Sequence, residues 1–195
     1  MMTYWMQRNV WFTVRRRSLG LIGLAVLIAA MSMVCTGAEA SDDKVYKIKA
    51  AYMYNFLKSV TWPDAKFAGA EAPIQITILG KDPFGSLLDK TLEGKTIGGH
   101  PIKITRVAEL GAQVTDAHLL FVCESAKSDA ASVLAAVANS NVLTVGDFAG
   151  FAKDGGILNF AEVDGKLRFE YSEQAATGGG LSVSSKLAAA AILVG

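Results

Sequence analysis

Residues 118–123 (HLLFVC) constrain the fold more than any other stretch, because they form an apolar run of strand length with no polar alternation. Such a run suits a central strand covered on both faces, the situation found where helices flank a parallel sheet. Neighbouring segments point the same way. Residues 74–79 (IQITIL) alternate, are rich in β-branched side chains and stop at Gly80. Residues 101–107 (PIKITRV) alternate again, and residues 142–145 form a fourth strand running into Gly146-Asp147.

Helical patterns fall between these strands. Residues 43–60 read as a helix with Asp42 or Asp43 as N-cap, because Ile48, Tyr52, Phe56 and Val60 recur every four positions. Val45 and Ala51 widen that stripe, and Trp62-Pro63 ends it, since the residue before proline is pushed out of the α region. A short helix is expected near residues 86–92. An alanine-rich one runs from Ser128 or Asp129 to residue 138, closed by Asn139-Ser140-Asn141. Residues 157–160 and 166–171 flank Asp164-Gly165, a hairpin signal. Gly178-Gly179-Gly180 leads into a last helix predicted over residues 181–193. Strand–helix alternation followed by a late hairpin predicts an α/β three-layer sandwich, with a mixed, largely parallel sheet flanked by helices. Its crossovers should be right-handed.

The amino terminus reads as an export signal. Arg15-Arg16-Arg17 precedes an apolar run over residues 19–34, and Ala38-Glu39-Ala40 offers a signal-peptidase site. The run of about 16 residues falls short of the roughly 20 that span a bilayer. Cleavage after Ala40 is therefore preferred to retention as an anchor. Cys35 is a poor lipidation site because Val34 is not small, and Arg-Arg-Arg-Ser-Leu only loosely matches a twin-arginine signal. The expected organisation is a signal peptide over residues 1–40 and one α/β domain over residues 41–195, working in the periplasm.

Residues 1–40 hold four of the 19 basic and one of the 18 acidic side chains, which leaves 15 basic and 17 acidic in the mature chain. That balance gives no nucleic-acid footprint. One cysteine, Cys123, remains, so the mature domain has no internal disulfide. With only His100 and His118 beside it, a Cys/His zinc site is excluded on numbers. No metal and no cofactor is expected.

Three constellations merit weighing. Asp82, in Gly80-Lys81-Asp82-Pro83-Phe84-Gly85, and Asp147 both follow strands, where open α/β sheets bind ligands. They equally suit plain capping of a turn or helix. Residues 177–186 (TGGGLSVSSK) resemble a phosphate loop without the G-x-x-x-x-G-K-[ST] spacing, so a hinge or an anion site at Ser184 and Ser185 are the remaining readings. A Ser/His/Asp triad can be written from Ser184 or Ser185, His118 and Asp147, but no G-x-S-x-G elbow supports it. Cys123 reads as a small buried hydrophobe. Tyr54 and Trp62 are core aromatics or an exposed contact patch.

Seven segments in one order carry a family resemblance: residues 49–63 (KAAYMYNFLKSVTWP), 76–85 (ITILGKDPFG), 118–122 (HLLFV), 142–147 (VLTVGD), 155–160 (GGILNF), 167–170 (LRFE) and 181–187 (LSVSSKL). Together the chain resembles the YfiR family of periplasmic proteins, a domain-of-unknown-function family. The resemblance implies a non-enzymatic α/β sandwich that dimerises. It implies docking to the periplasmic sensor domain of an inner-membrane partner, a diguanylate cyclase whose repression limits cyclic-di-GMP and biofilm formation. Members carry paired cysteines, one pair around the strand that is HLLFVC here. This chain has Cys123 but Asp116 seven residues earlier, so redox control through that pair does not carry over. Tyr54 and Trp62 are the candidate partner-binding residues. The alternatives are a small-ligand-binding protein with its pocket at Asp82, Asp147, Ser184 and Ser185, and, further behind, a periplasmic hydrolase.

Overall fold

The computed structural model describes residues 36–195, with side chains from Asp43 onward. The arginine cluster, the apolar run and Cys35 lie outside the described residues. The chain divides at residue 42, and the sheet, the cores and the ion pairs described below lie in the compact unit Asp43–Gly195.

Helix α1 (Thr36–Lys58) is followed by a two-residue strand β1 (Val60–Thr61), a 3₁₀ turn (Asp64–Lys66) and strand β2 (Ile74–Leu79). Then come α2 (Ser86–Leu92), β3 (Thr96–Ile97), β4 (His100–Val107), α3 (Ala112–Thr115) and β5 (Leu119–Val122). A second 3₁₀ stretch (Glu124–Asp129) enters α4 (Ala130–Val137), which leads to β6 (Leu143–Gly146) and the hairpin β7 (Leu158–Val163) and β8 (Lys166–Tyr171). The chain ends through α5 (Glu173–Gly178), β9 (Ser182–Val183), α6 (Ser185–Ala190) and β10 (Ile192–Leu193).

Eight strands form one sheet in the order β10-β8-β7-β6-β5-β2-β4-β3. The block β7-β6-β5-β2-β4 is parallel throughout, and the β7–β8 and β3–β4 pairs are antiparallel. This is the mixed, largely parallel α/β sandwich that the sequence pattern implies. Strand β5 lies between β2 and β6, and its side chains explain the unbroken apolar run. Leu119, Phe121 and Cys123 join the core shared with α1, while Leu120 and Val122 join the opposite core with Val133 and Val137 of α4. Each fully buried Phe or Leu here contributes about 1.5–3 kcal/mol. Asp164 and Gly165 take φ of 52° and 69°, the paired positive values of a tight hairpin turn, and set the register Val163↔Lys166. At the end of β6, a Cβ on Gly146 would overlap the Phe151 ring, and one on Gly156 would meet the same ring. These glycines let Phe151 lie against the backbone.

Three expectations change. The first helix continues past the offered cap through Ala38-Glu39-Ala40 to Thr36, the first described residue, and it ends at Lys58 so that Val60 and Thr61 can pair with Val183 and Ser182. Its buried stripe is also rotated. Ala50, Met53, Phe56 and Leu57 are fully buried, whereas Val45 and Ile48 are exposed. Finally, the helix predicted over residues 181–193 is broken. Ser182–Val183 pairs with β1, Ser184 caps a six-residue helix, and Ile192–Leu193 joins the sheet edge beside β8. Alanine-rich sequence favours helix locally, but two pairing edges elsewhere in the fold take up its ends. Helix α5 has no counterpart in the sequence reading; its signal was Ser172, whose Oγ accepts from the Ala175 N–H.

Candidate functional site

The parallel strands β2, β5 and β6 end at one edge of the sheet, so Asp82, Cys123 and Asp147 share a rim. Asp147 is engaged there by the first helix. Lys49 Nζ donates to its Oδ1 at 2.6 Å and its Oδ2 at 2.8 Å, and Tyr46 Oη donates to Oδ2 at 3.0 Å. The Lys49 ammonium also lies 4.4 Å from the Tyr46 ring centroid, and Tyr46 packs edge-on to Phe84. Lys49 and Asp147 are both nearly enclosed, with side-chain exposures of 9% and 11%. Nothing in the local pattern of the helix marks Lys49 as a core residue. Only its distant carboxylate makes that burial tolerable.

Asp82 is committed elsewhere. Its Oδ1 accepts the Phe84 N–H at 2.8 Å, closing the Asx turn that capping chemistry predicts, and its Oδ2 receives Arg106 Nε at 2.6 Å. Arg106, from β4, also donates through Nη2 to Gly85 O and to Asp89 Oδ2, tying the β2–α2 loop to its neighbouring strand. The guanidinium bond holds the Asp89 carboxyl below the usual carboxylate range, and the two aspartates hold Arg106 firmly charged. Between these pairs lies Cys123, 2% exposed, whose thiol is pushed up to about 12 by burial and then by the Asp82 and Asp147 charges. A thiol in that setting is a poor nucleophile.

The structure does not bring Ser184 and Ser185 to this rim. The Ser184 N–H donates to Ser59 O at 2.8 Å, just past the end of α1, and its Oγ caps α6 by accepting from the Leu187 N–H. Ten residues of helix separate Ser59 from Lys49, about 15 Å. The glycine run before them is clasped by Asn141, whose Nδ2 donates to Gly179 O and Gly180 O. His118 precedes β5 and Asp147 follows the parallel β6, so the two lie at opposite edges of the sheet. The Ser/His/Asp arrangement written from the sequence is not assembled. Instead His118 is a core residue, 3% exposed, with Nδ1 accepting the Gln75 N–H at 3.2 Å.

The two aromatic candidates part company. Trp62 is 6% exposed and donates from Nε1 to His118 O at 3.2 Å. It is a core staple and corrects the reading of Trp62 as a docking residue, because a partner needs surface that this ring does not present. Tyr54 is half-buried on α1, with Lys95 Nζ 4.4 Å and Lys58 Nζ 5.6 Å from its ring centroid. A cation-flanked aromatic of that kind remains available at the surface.

A family model described as YfiR/HmsC-like matches residues 46–191. The chain belongs to the YfiR/HmsC-like family. The match runs from Tyr46 past α6, so it takes in both ion-paired clusters and all three layers of the sandwich. Membership carries the coarse reading of a periplasmic regulatory protein. In fold, this YfiR/HmsC-like chain is similar to the crystal structure of a conserved domain protein from Vibrio cholerae O1 biovar El Tor, with a TM-score of 0.55 at 11% identity. That likeness covers 76% of this chain and 59% of the other, so the chain spans little more than half of that protein's length. No curated protein matches.

Proposed function

We propose that this protein is a non-enzymatic periplasmic signalling regulator. It docks as a homodimer on the periplasmic sensor domain of an inner-membrane diguanylate cyclase, holds down cyclic-di-GMP synthesis and so restrains biofilm formation. The observation that carries the reading is the YfiR/HmsC-like match, which spans nearly the whole compact unit. The state of the rim supports it. Asp82 and Asp147, the groups a small-ligand pocket would use, are already bonded to Arg106, Lys49 and Tyr46. Cys123 is buried, and Ser184 and Ser185 stand away from the rim that holds Asp147. Docking is a binding equilibrium in which occupancy favours the inactive partner and release restores it.

Deleting the gene tests the reading. Cyclic-di-GMP and surface attachment should rise, and the purified protein should capture the cyclase's periplasmic domain. Unchanged cyclic-di-GMP together with no capture would refute it, and the small-ligand reading would then take its place.

A further inference from the structure

We propose that residues 62–72, which link the first helix to β2, form an acid-released strap. Protonation of His118, the buried ring that Trp62 and Phe67 of the strap pack against, drives the strap off the amino edge of the sheet, because the strap carries Lys66, a cation that opposes the new charge. This inference is independent of the regulator reading, because it concerns the opposite edge of the sheet and needs no partner.

Side-chain contacts fasten the strap to the rest of the domain. Trp62 Nε1 bonds to His118 O, and Lys66 Nζ donates to Thr115 O at 3.0 Å and Ser140 O at 2.8 Å, the chain entries to β5 and β6. Phe67 lies between two imidazoles, stacked on His100 at 4.3 Å and tilted against His118 at 4.7 Å. His100 Nδ1 meets Ala72 O at 2.7 Å, which closes the far end.

His118 decides whether this arrangement holds. Its Nδ1 accepts from the Gln75 N–H, so the ring is neutral and carries its proton on Nε2. That Nε2 is buried and has no hydrogen-bond partner among the described residues. A second proton would turn Nδ1 into a donor facing another donor, the Gln75 N–H. It would also place a buried positive charge beside Lys66 and near His100, the two groups whose charge opposes it. Asp116 is the carboxylate facing this cluster, and it acts on Lys66. The other neighbours, Trp62, Phe67 and Gln75, are neutral. Relief comes by moving the strap away and letting water reach the ring. Burial and these charges lower the His118 pKa from 6.5 to about 4.

Hydrogen exchange by mass spectrometry on the intact protein, corrected for the intrinsic pH dependence of exchange, reads the strap directly. With the closed and open pKa values at about 4 and 6.5, strap opening over residues 62–75 should rise about 30-fold between pH 8 and pH 5. Amides of β5 should stay protected. In His118→Asn, whose amide oxygen can accept the same N–H but does not titrate, that rise should vanish. An unchanged rise in the variant overturns the proposal. If the variant does not fold, the His118 ring resonances of the unmodified protein decide by NMR. Titration in step with strap exchange supports the device. Titration near 6.5 with the strap still closed, or opening without titration, overturns it.

Discussion

Lys49 Nζ lies 2.6 Å and 2.8 Å from the two carboxylate oxygens of Asp147, a residue 98 positions further along the chain. This contact fastens the first helix to the carboxyl end of β6 and neutralises two charges that the core could not hold singly. Replacing Lys49 by Met should strand the Asp147 carboxylate and cost about 3–5 kcal/mol of stability. The double variant Lys49→Met/Asp147→Asn should cost clearly less. Urea denaturation of the single and double variants checks both, and equal costs would mean that the pair is not coupled.

Cys123 should be chemically silent in the folded protein. With its thiol pushed up to about 12, only about one molecule in ten thousand is a thiolate at pH 8. Iodoacetamide should modify it after denaturation and hardly before. Cys123→Ala should change stability by about 1 kcal/mol and leave signalling intact. Rapid labelling of the native protein would contradict this.

Trp62 and Tyr54 should separate stability from docking. Trp62→Phe removes the bond to the buried His118 carbonyl and should cost about 1–3 kcal/mol in denaturation, with no change in partner affinity. Tyr54→Ala should leave the fold in place and weaken docking by about 2 kcal/mol or more, as removal of an aromatic anchor does. Calorimetric titration against the partner domain, run beside thermal melts, distinguishes the two. The reverse pattern would mean the anchor lies elsewhere.

Stability should fall on acidification through His118. Its folded pKa is depressed from 6.5 to about 4, so above pH 6.5 the ring is neutral in both states and its contribution is complete. Between pH 6.5 and 4 the unfolded chain takes up a proton that the folded chain refuses. The loss accumulates to about 3 kcal/mol by pH 4. The Asp89 carboxyl, held low by Arg106, adds its own loss at the acid end, so the His118 share is the difference in slope between the parent protein and His118→Asn.

If the amino terminus acts as the export signal its pattern suggests, the exported chain should begin at Ser41, after Ala38-Glu39-Ala40. Intact-mass measurement on a periplasmic extract should find the protein lacking residues 1–40. Full-length protein in the membrane fraction would contradict it.

The sequence alone determined what local patterns can encode. The all-apolar HLLFVC run specified a strand buried on both faces, Asp164-Gly165 specified the hairpin, and Asp82 specified its own turn by accepting the Phe84 N–H. The two turns follow from contacts within a few residues, and the run shows its burial by composition alone. The tertiary structure decided whatever depended on a remote partner. Lys49 enters the core because Asp147 is there, whereas Ile48, apolar and on the expected stripe, faces outward. Trp62 is withdrawn from the surface by a carbonyl 56 residues away. The alanine-rich end breaks into strand, helix and strand because β1 and β8 offer hydrogen-bonding edges to its flanks. Periodicity reports whether a face is apolar. It carries no information on which distant charge, carbonyl or strand edge will meet that face, and here those meetings set both the rim and the strap.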